Sequence, residues 1–135
     1  MKKISIAALL VVIWMGCTDQ KSQKKAILDE VLSVHDKVMG AEGQLVKNKM
    51  QLDTLIKKQN LSAKDTAFIL RAKLMAADSV MDTWMHNFDY EQKGKSNDET
   101  IAYMKIQKKK IMEVDSQINQ AVAEANKYLV KVKSK

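Results

Sequence analysis

Apolar residues recur along this chain at steps of three and four, the spacing that keeps side chains on one face of a helix, and they do so in three separate stripes. The first runs Ile27, Val31, Val34, Val38, Ala41, Leu45, Asn48, Leu52 and Leu55, with Asn48 as its polar member. The second runs Ala67, Leu70, Leu74, Ala77, Met81, Trp84 and Phe88, and the third Met104, Gln107, Ile111, Val114, Ile118, Ala121, Ala125, Tyr128 and Val132. A mean period of about 3.5 residues favours left-handed, coiled-coil-like packing. Both breaks carry helix-start chemistry. Ser62-Ala63-Lys64-Asp65 places a carboxylate three residues after a hydroxyl, and Ser96-Asn97-Asp98-Glu99 repeats the arrangement as a capping box. Gln59, Asn60 and Leu61 make a tight first connection, and Gly94 lies in the second. The pattern predicts helices near 24–58, 62–91 and 97–133, arranged as an all-α, antiparallel up-down-up three-helix bundle. An extended coiled coil that self-associates is the rival arrangement. Gly40 and Gly43, inside the first helix, read as close helix packing, a gentle bend, or a hinge or point of ligand approach.

Composition agrees with helices: there is no proline, aromatic residues are 5% of the chain, and Ala, Leu, Met, Lys, Gln and Glu abound. The amino-terminal segment reads differently. MKKISIAALLVVIWMG gives two lysines, an apolar run from Ile4 to Met15, and Gly16 immediately before Cys17, the single cysteine. That is the layout of a secretory signal. The run falls short of the roughly 20 residues that a spanning helix needs. Cys17 resembles the acceptor of a bacterial lipobox, where the thiol is diacylated with palmitate-like chains and the polypeptide is cut just before it. The expected organisation is a signal peptide over 1–16, lipidated Cys17 with a polar tether over 17–23, and the bundle over 24–135. Seven extended residues reach at most about 25 Å, so the domain stays near its membrane.

Loss of residues 1–16 leaves 119 residues, enough for one core, with 21 basic and 16 acidic side chains. Arg71 is the sole arginine, whereas bidentate recognition of nucleic acid favours arginine, and the chain is addressed away from DNA. Nucleic acid is therefore not an expected partner. Lys105, Lys108, Lys109 and Lys110, with Lys127, Lys131, Lys133 and Lys135, make the third helix the most basic part. Such a face is either simply solvated or drawn to anionic headgroups and cell-wall polymers.

Catalytic signatures are missing from the sequence: it holds no Gly-rich phosphate loop, no paired-cysteine metal site and no His-Glu-x-x-His. With two histidines, His35 and His86, most triads and zinc hydrolases lack parts, so the chain reads as non-enzymatic and requires no cofactor. The best constellation is His35 with Met39 one turn on, and Met81, Met85 and His86 in the second helix. Thioethers with imidazole suit copper, and a Met/His pair can ligate haem iron, which makes His35, Met39 and Met85 the metal candidates. Methionine also fills irregular core gaps, the simpler reading. His86 lies about 200° around its helix from Trp84 and from Phe88 and should face solvent. Asp89, Glu91, Asp98 and Glu99 cluster without EF-hand spacing, and cap and dipole roles account for Asp98 and Glu99.

His35-Asp36-Lys37-Val38-Met39 and Trp84-Met85-His86-Asn87-Phe88 resemble segments of a small Gram-negative lipoprotein family often labelled "viral A-type inclusion protein". Its pattern is an early HDxVM, a central WMxxF and a Lys/Glu-rich last helix with a Tyr-Leu pair, here Tyr128-Leu129. The resemblance spans nearly the whole chain after the signal, and it departs from the family pattern at Gly40 and Glu42. It implies a role for His35, Asp36, Met39, Trp84, Met85 and Phe88 but brings no established activity. The expectation is a lipid-anchored helical protein of the cell envelope, on the outer membrane facing the periplasm or at the cell surface. It would bind the membrane through its anchor and an envelope protein or wall polymer through its surface. His35, Asp36, Met39, Met85 and His86 are the candidate contacts. The alternative is a periplasmic metal or stress sensor, or a small helical chaperone, using the Met/His cluster or a groove.

Overall fold

The computed structural model describes residues 16–58 and 61–134, with side chains over 19–58 and 65–134. Helix α1 spans Gly16–Lys58, α2 Leu61–Asn87 and α3 Asn97–Lys133, and no strand occurs among the described residues. Each helix forms around its apolar stripe, because burial of one face supplies most of a helix's stability in a folded protein. Val31, Val38, Leu45 and Leu52, spaced by seven, are each 1% exposed or less. They share one core with Leu74, Ala77, Met81 and Trp84 of α2 and with Ile111, Val114 and Ile118 of α3. The chain is thus an all-α three-helix bundle.

Polar contacts fix how the helices slide against one another. Gln20 Nε2 donates to Asp98 Oδ1 at 2.9 Å, Lys108 Nζ meets Glu30 at 2.7 Å, and Lys37 Nζ meets Asp115 at 2.8 Å. The sequence separation is 78 in each case, so α1 and α3 run parallel in constant register. Against α2 the numbers run oppositely. Lys49 pairs with Asp78 at 2.9 Å while Asp53, one turn later, pairs with Arg71, and Lys73 of α2 reaches Glu124 at 2.5 Å. Exposed pairs of this kind contribute about 0–1 kcal/mol each, so their main effect is to select a register. Asn48, 1% exposed, does the same from inside. Its Oδ1 accepts from Gln44 Nε2 at 2.8 Å and its Nδ2 donates to the Val122 carbonyl at 3.3 Å, while Gln44 also donates to Asn126 at 3.2 Å. A satisfied buried amide tolerates no slip between the helices that satisfy it.

Four expectations change. The polar stretch 17–23 is not an irregular tether but the first turns of α1, which begins at Gly16. Lysine and glutamine form helix readily, no Gly or Pro interrupts them after Gly16, and Gln20 gains Asp98 as a partner. Residues 1–15 of the expected 1–16 signal, and the Cys17 side chain, lie outside the described residues. At its other end, α2 stops at Asn87 rather than at 91. Asp89 takes over there, its Oδ1 accepting from the Glu91 and Gln92 amides at 3.1 and 3.2 Å in a turn that competes with helix. The third stripe buries Leu129 and leaves Tyr128 only partly buried, since a straight helix drifts about 20° per heptad from a 3.5 repeat. Gly40 and Gly43 face open space, with nothing within 4 Å of an added Cβ, so close helix packing does not explain them. The Ser62 box falls on side chains outside the described residues, and the first connection, 59–60, lies outside them too.

The Ser96 box is present in full. Ser96 Oγ accepts from the Glu99 amide at 3.2 Å, and Glu99 Oε2 accepts from the Ser96 amide at 2.8 Å. The Ser96 backbone hydrogen bond first, then its hydroxyl and the nearby Lys95 charge, hold the Glu99 carboxyl below its ordinary value of 4.5. A carboxylate lowered on folding stabilises above its unfolded value and loses that contribution as pH falls through the folded one. The melting advantage of the natural chain over Glu99→Gln is expected near neutrality and should vanish on acidification below about 4.5; an advantage constant across that range would contradict the linkage. Glycine substitutions test the backbone. Gly40→Ala and Gly43→Ala should each raise unfolding free energy by up to about 1 kcal/mol. Gly94→Ala should lower it by about 1 kcal/mol, because Gly94 holds φ +77°. Denaturant titration reads both signs.

Candidate functional site

Four rings connect the three helices near the end where α2 turns into α3. His35, half-buried on α1, lies 6.0 Å from Trp84 of α2 in a tilted arrangement. Trp84 stacks on Phe88 at 4.8 Å, one helical turn on, and Phe88 faces Tyr103 of α3 at 6.3 Å. Pairs of this geometry contribute about 0.5–1.5 kcal/mol beyond their burial. The ladder ends in a polar handle: the Tyr103 hydroxyl accepts from the Asp89 amide at 2.8 Å and donates to the Asn87 carbonyl at 3.4 Å. It thereby satisfies backbone groups freed where α2 stops. Tyr103 has no place in the apolar stripes, and its role became visible only once α2 and α3 were set side by side.

The His and Met candidates separate into three places. His35 Nδ1 is 3.0 Å from Asp36 Oδ1, with the Asp36 side chain 79% exposed. In the tautomer that donates from Nδ1 to this carboxylate, Nε2 stays an acceptor. Met39 and Met85 do meet, lining a crevice in the α1–α2 seam with Met81, Glu42, Asp78 and Asp82. His35 is not among the lining residues of that crevice. Its volume is about 20 Å³, room for a single water and far below the roughly 300 Å³ at which ligand pockets begin. A haem does not fit there. His86 faces outward, its Nδ1 2.8 Å from the Asp82 carbonyl, as its position around the helix predicts. Among the described residues, no three His, Cys, Asp or Glu side chains stand together in a way that could hold a metal ion.

The acidic cluster is used locally. Asp89 accepts from its own loop, Asp98 from Gln20, and Glu99 from Ser96, while Glu91 pairs with Lys93 at 2.7 Å. A different feature dominates the opposite side of Trp84's helix: a groove of about 520 Å³ between α2 and α3, floored by Trp84, Gln107 and Val114. Separate stripes carry no information about the gap between two helices, so its size was not legible beforehand. Glutamine at position 107 of an otherwise apolar seam was the available signal.

Tyr103→Phe removes the handle and leaves the ring. It should lower unfolding free energy by about 1–2 kcal/mol and speed hydrogen exchange at the Asp89 amide. Unchanged exchange at that amide would detach Tyr103 from the loop.

No family model, curated protein or solved structure matches this chain. The fold brings the His35–Met39 and Trp84–Phe88 segments together through the His35–Trp84 ring contact.

Proposed function

We propose that this chain is a non-enzymatic, lipid-anchored helical protein of the bacterial cell envelope, acting by offering its bundle surface to another envelope component. The observation that carries the reading is the continuity of α1 from Gly16, which puts Cys17 in the first turn of a helix clamped to α3 by Gln20 and Asp98. A lipid on Cys17 would then hold the bundle end-on, with the 88–96 loop nearest the headgroups. Among the described residues no helix is long and apolar enough to cross a membrane. Exposed apolar side chains on all three helices, among them Met50, Ile69 and Ile106, provide contact area. The His35–Asp36 pair stands beside the ring ladder as a polar point of recognition.

Metabolic labelling with an alkynyl palmitate analogue is expected to mark the natural chain and not Cys17→Ser, and the variant should leave the membrane fraction. Equal labelling of both would refute the anchor. Crosslinking in cells, followed by mass spectrometry, should return an envelope protein or wall fragment that His35→Ala and Asp36→Ala deplete. Recovery of nothing above background would refute the interaction.

A further inference from the structure

Trp84 and Gln107 form the polar part of the groove floor, and neither is satisfied by protein. Trp84 is 7% exposed, and its indole Nε1–H is buried without an acceptor. Gln107 is 6% exposed and makes no hydrogen bond with another described residue. An unpaired buried donor such as the Trp84 indole N–H costs about 1–3 kcal/mol. Leucine at position 107 would suit the seam better, since its neighbours at 104, 111 and 114 are apolar and buried. Two donors and an acceptor on the floor of one groove, kept at the expense of packing, are the marks of a site that completes its hydrogen bonds with a ligand.

We propose that the groove between α2 and α3 binds a short peptide with free termini, a di- or tripeptide, which deepens the interaction reading above by naming the chemical class of the partner. The N–H and C=O of a trans peptide group point in opposite directions, so the N–H can donate to the Gln107 carboxamide oxygen while the C=O accepts from the Trp84 indole. Lys110 and Glu113 stand at the rim, three residues apart on α3, one of each sign, and neither is paired with another described residue. Such positions are neighbours about 5–6 Å apart on a helix surface, close to the span between the two termini of a dipeptide. The carboxylate goes to Lys110 and the ammonium to Glu113. Val80 and Val114 supply an apolar wall for side chains. The groove's volume falls within the roughly 300–1,000 Å³ range of ligand sites.

The test uses the full chain in detergent micelles with ¹⁵N-labelled tryptophan. There are two tryptophans, and Trp14→Phe identifies the Trp84 indole resonance. Titration with alanyl-leucine is expected to move the Trp84 N–H proton downfield and to saturate. Gln107→Leu should weaken binding at least about tenfold while the melting temperature holds or rises, which separates lost binding from lost fold. Lys110→Gln should weaken alanyl-leucine but not its N-acetylated, C-amidated form. Absence of a saturable shift, or an unchanged midpoint in Gln107→Leu, would overturn the proposal. An equal response to the free and capped peptides would overturn the roles of Lys110 and Glu113. Because the titration does not depend on acylation, its failure is distinct from failure of the anchor.

Discussion

The constant separation of 78 residues between partners on α1 and α3 governs the rest of the bundle. Apolar seams of period 3.5 are nearly self-similar under a shift of one heptad, so burial alone would accept several registers. Asn48 limits that freedom, because its Nδ2 crosses to the Val122 carbonyl of α3 while Gln44, on its own helix, holds its Oδ1. A slip that took Val122 away would break the one bond from this buried amide to α3, and an unpaired buried donor costs about 1–3 kcal/mol, more than an exposed ion pair contributes. The ion pairs along the same seam then agree with the choice that the buried amide makes.

With α1 and α3 fixed, α2 is the helix with freedom to accommodate function. Its end at Asn87 is set by the Asp89 turn and by Tyr103, so the ring ladder depends on the α1–α3 alignment indirectly, through the α3 residue that closes it. His35 and Tyr103 press on the Trp84–Phe88 stack from two sides. The groove lies along the same stretch of α2. One aromatic side chain, Trp84, thus belongs to both the hydrophobic core and the groove floor.

Much of this was legible in the sequence, for identifiable reasons. Steps of three and four located all three helices, and the Ser96–Glu99 box placed the start of α3 at Asn97 because capping chemistry is local. His86 was assigned to solvent by angle alone, correctly. Failures arose where the deciding neighbour is distant in sequence. The 17–23 stretch looked like a linker because it has no apolar period, yet Asp98, 78 residues from Gln20, gives it a partner. Met39, Met85 and His35 looked like one cluster, but register places the two sulfurs in a narrow seam that His35 does not line. The groove depends on the distance between α2 and α3, which neither stripe encodes.

The helical start of α1 converts a matter of attachment into one of altitude. By the offset of 78, Lys110 of α3 is level with position 32 of α1, fifteen residues beyond Cys17, or about 22 Å along the axis. Were Cys17 lipidated, a flexible leash would let the groove sample every height and orientation, whereas a helical stem would present it at a narrower range of elevations. With a lipid on Cys17, encounters would be selected by where a ligand is mounted as well as by what it is. Inserting or deleting whole turns between Cys17 and Ile27 would reset that elevation without touching the binding surface.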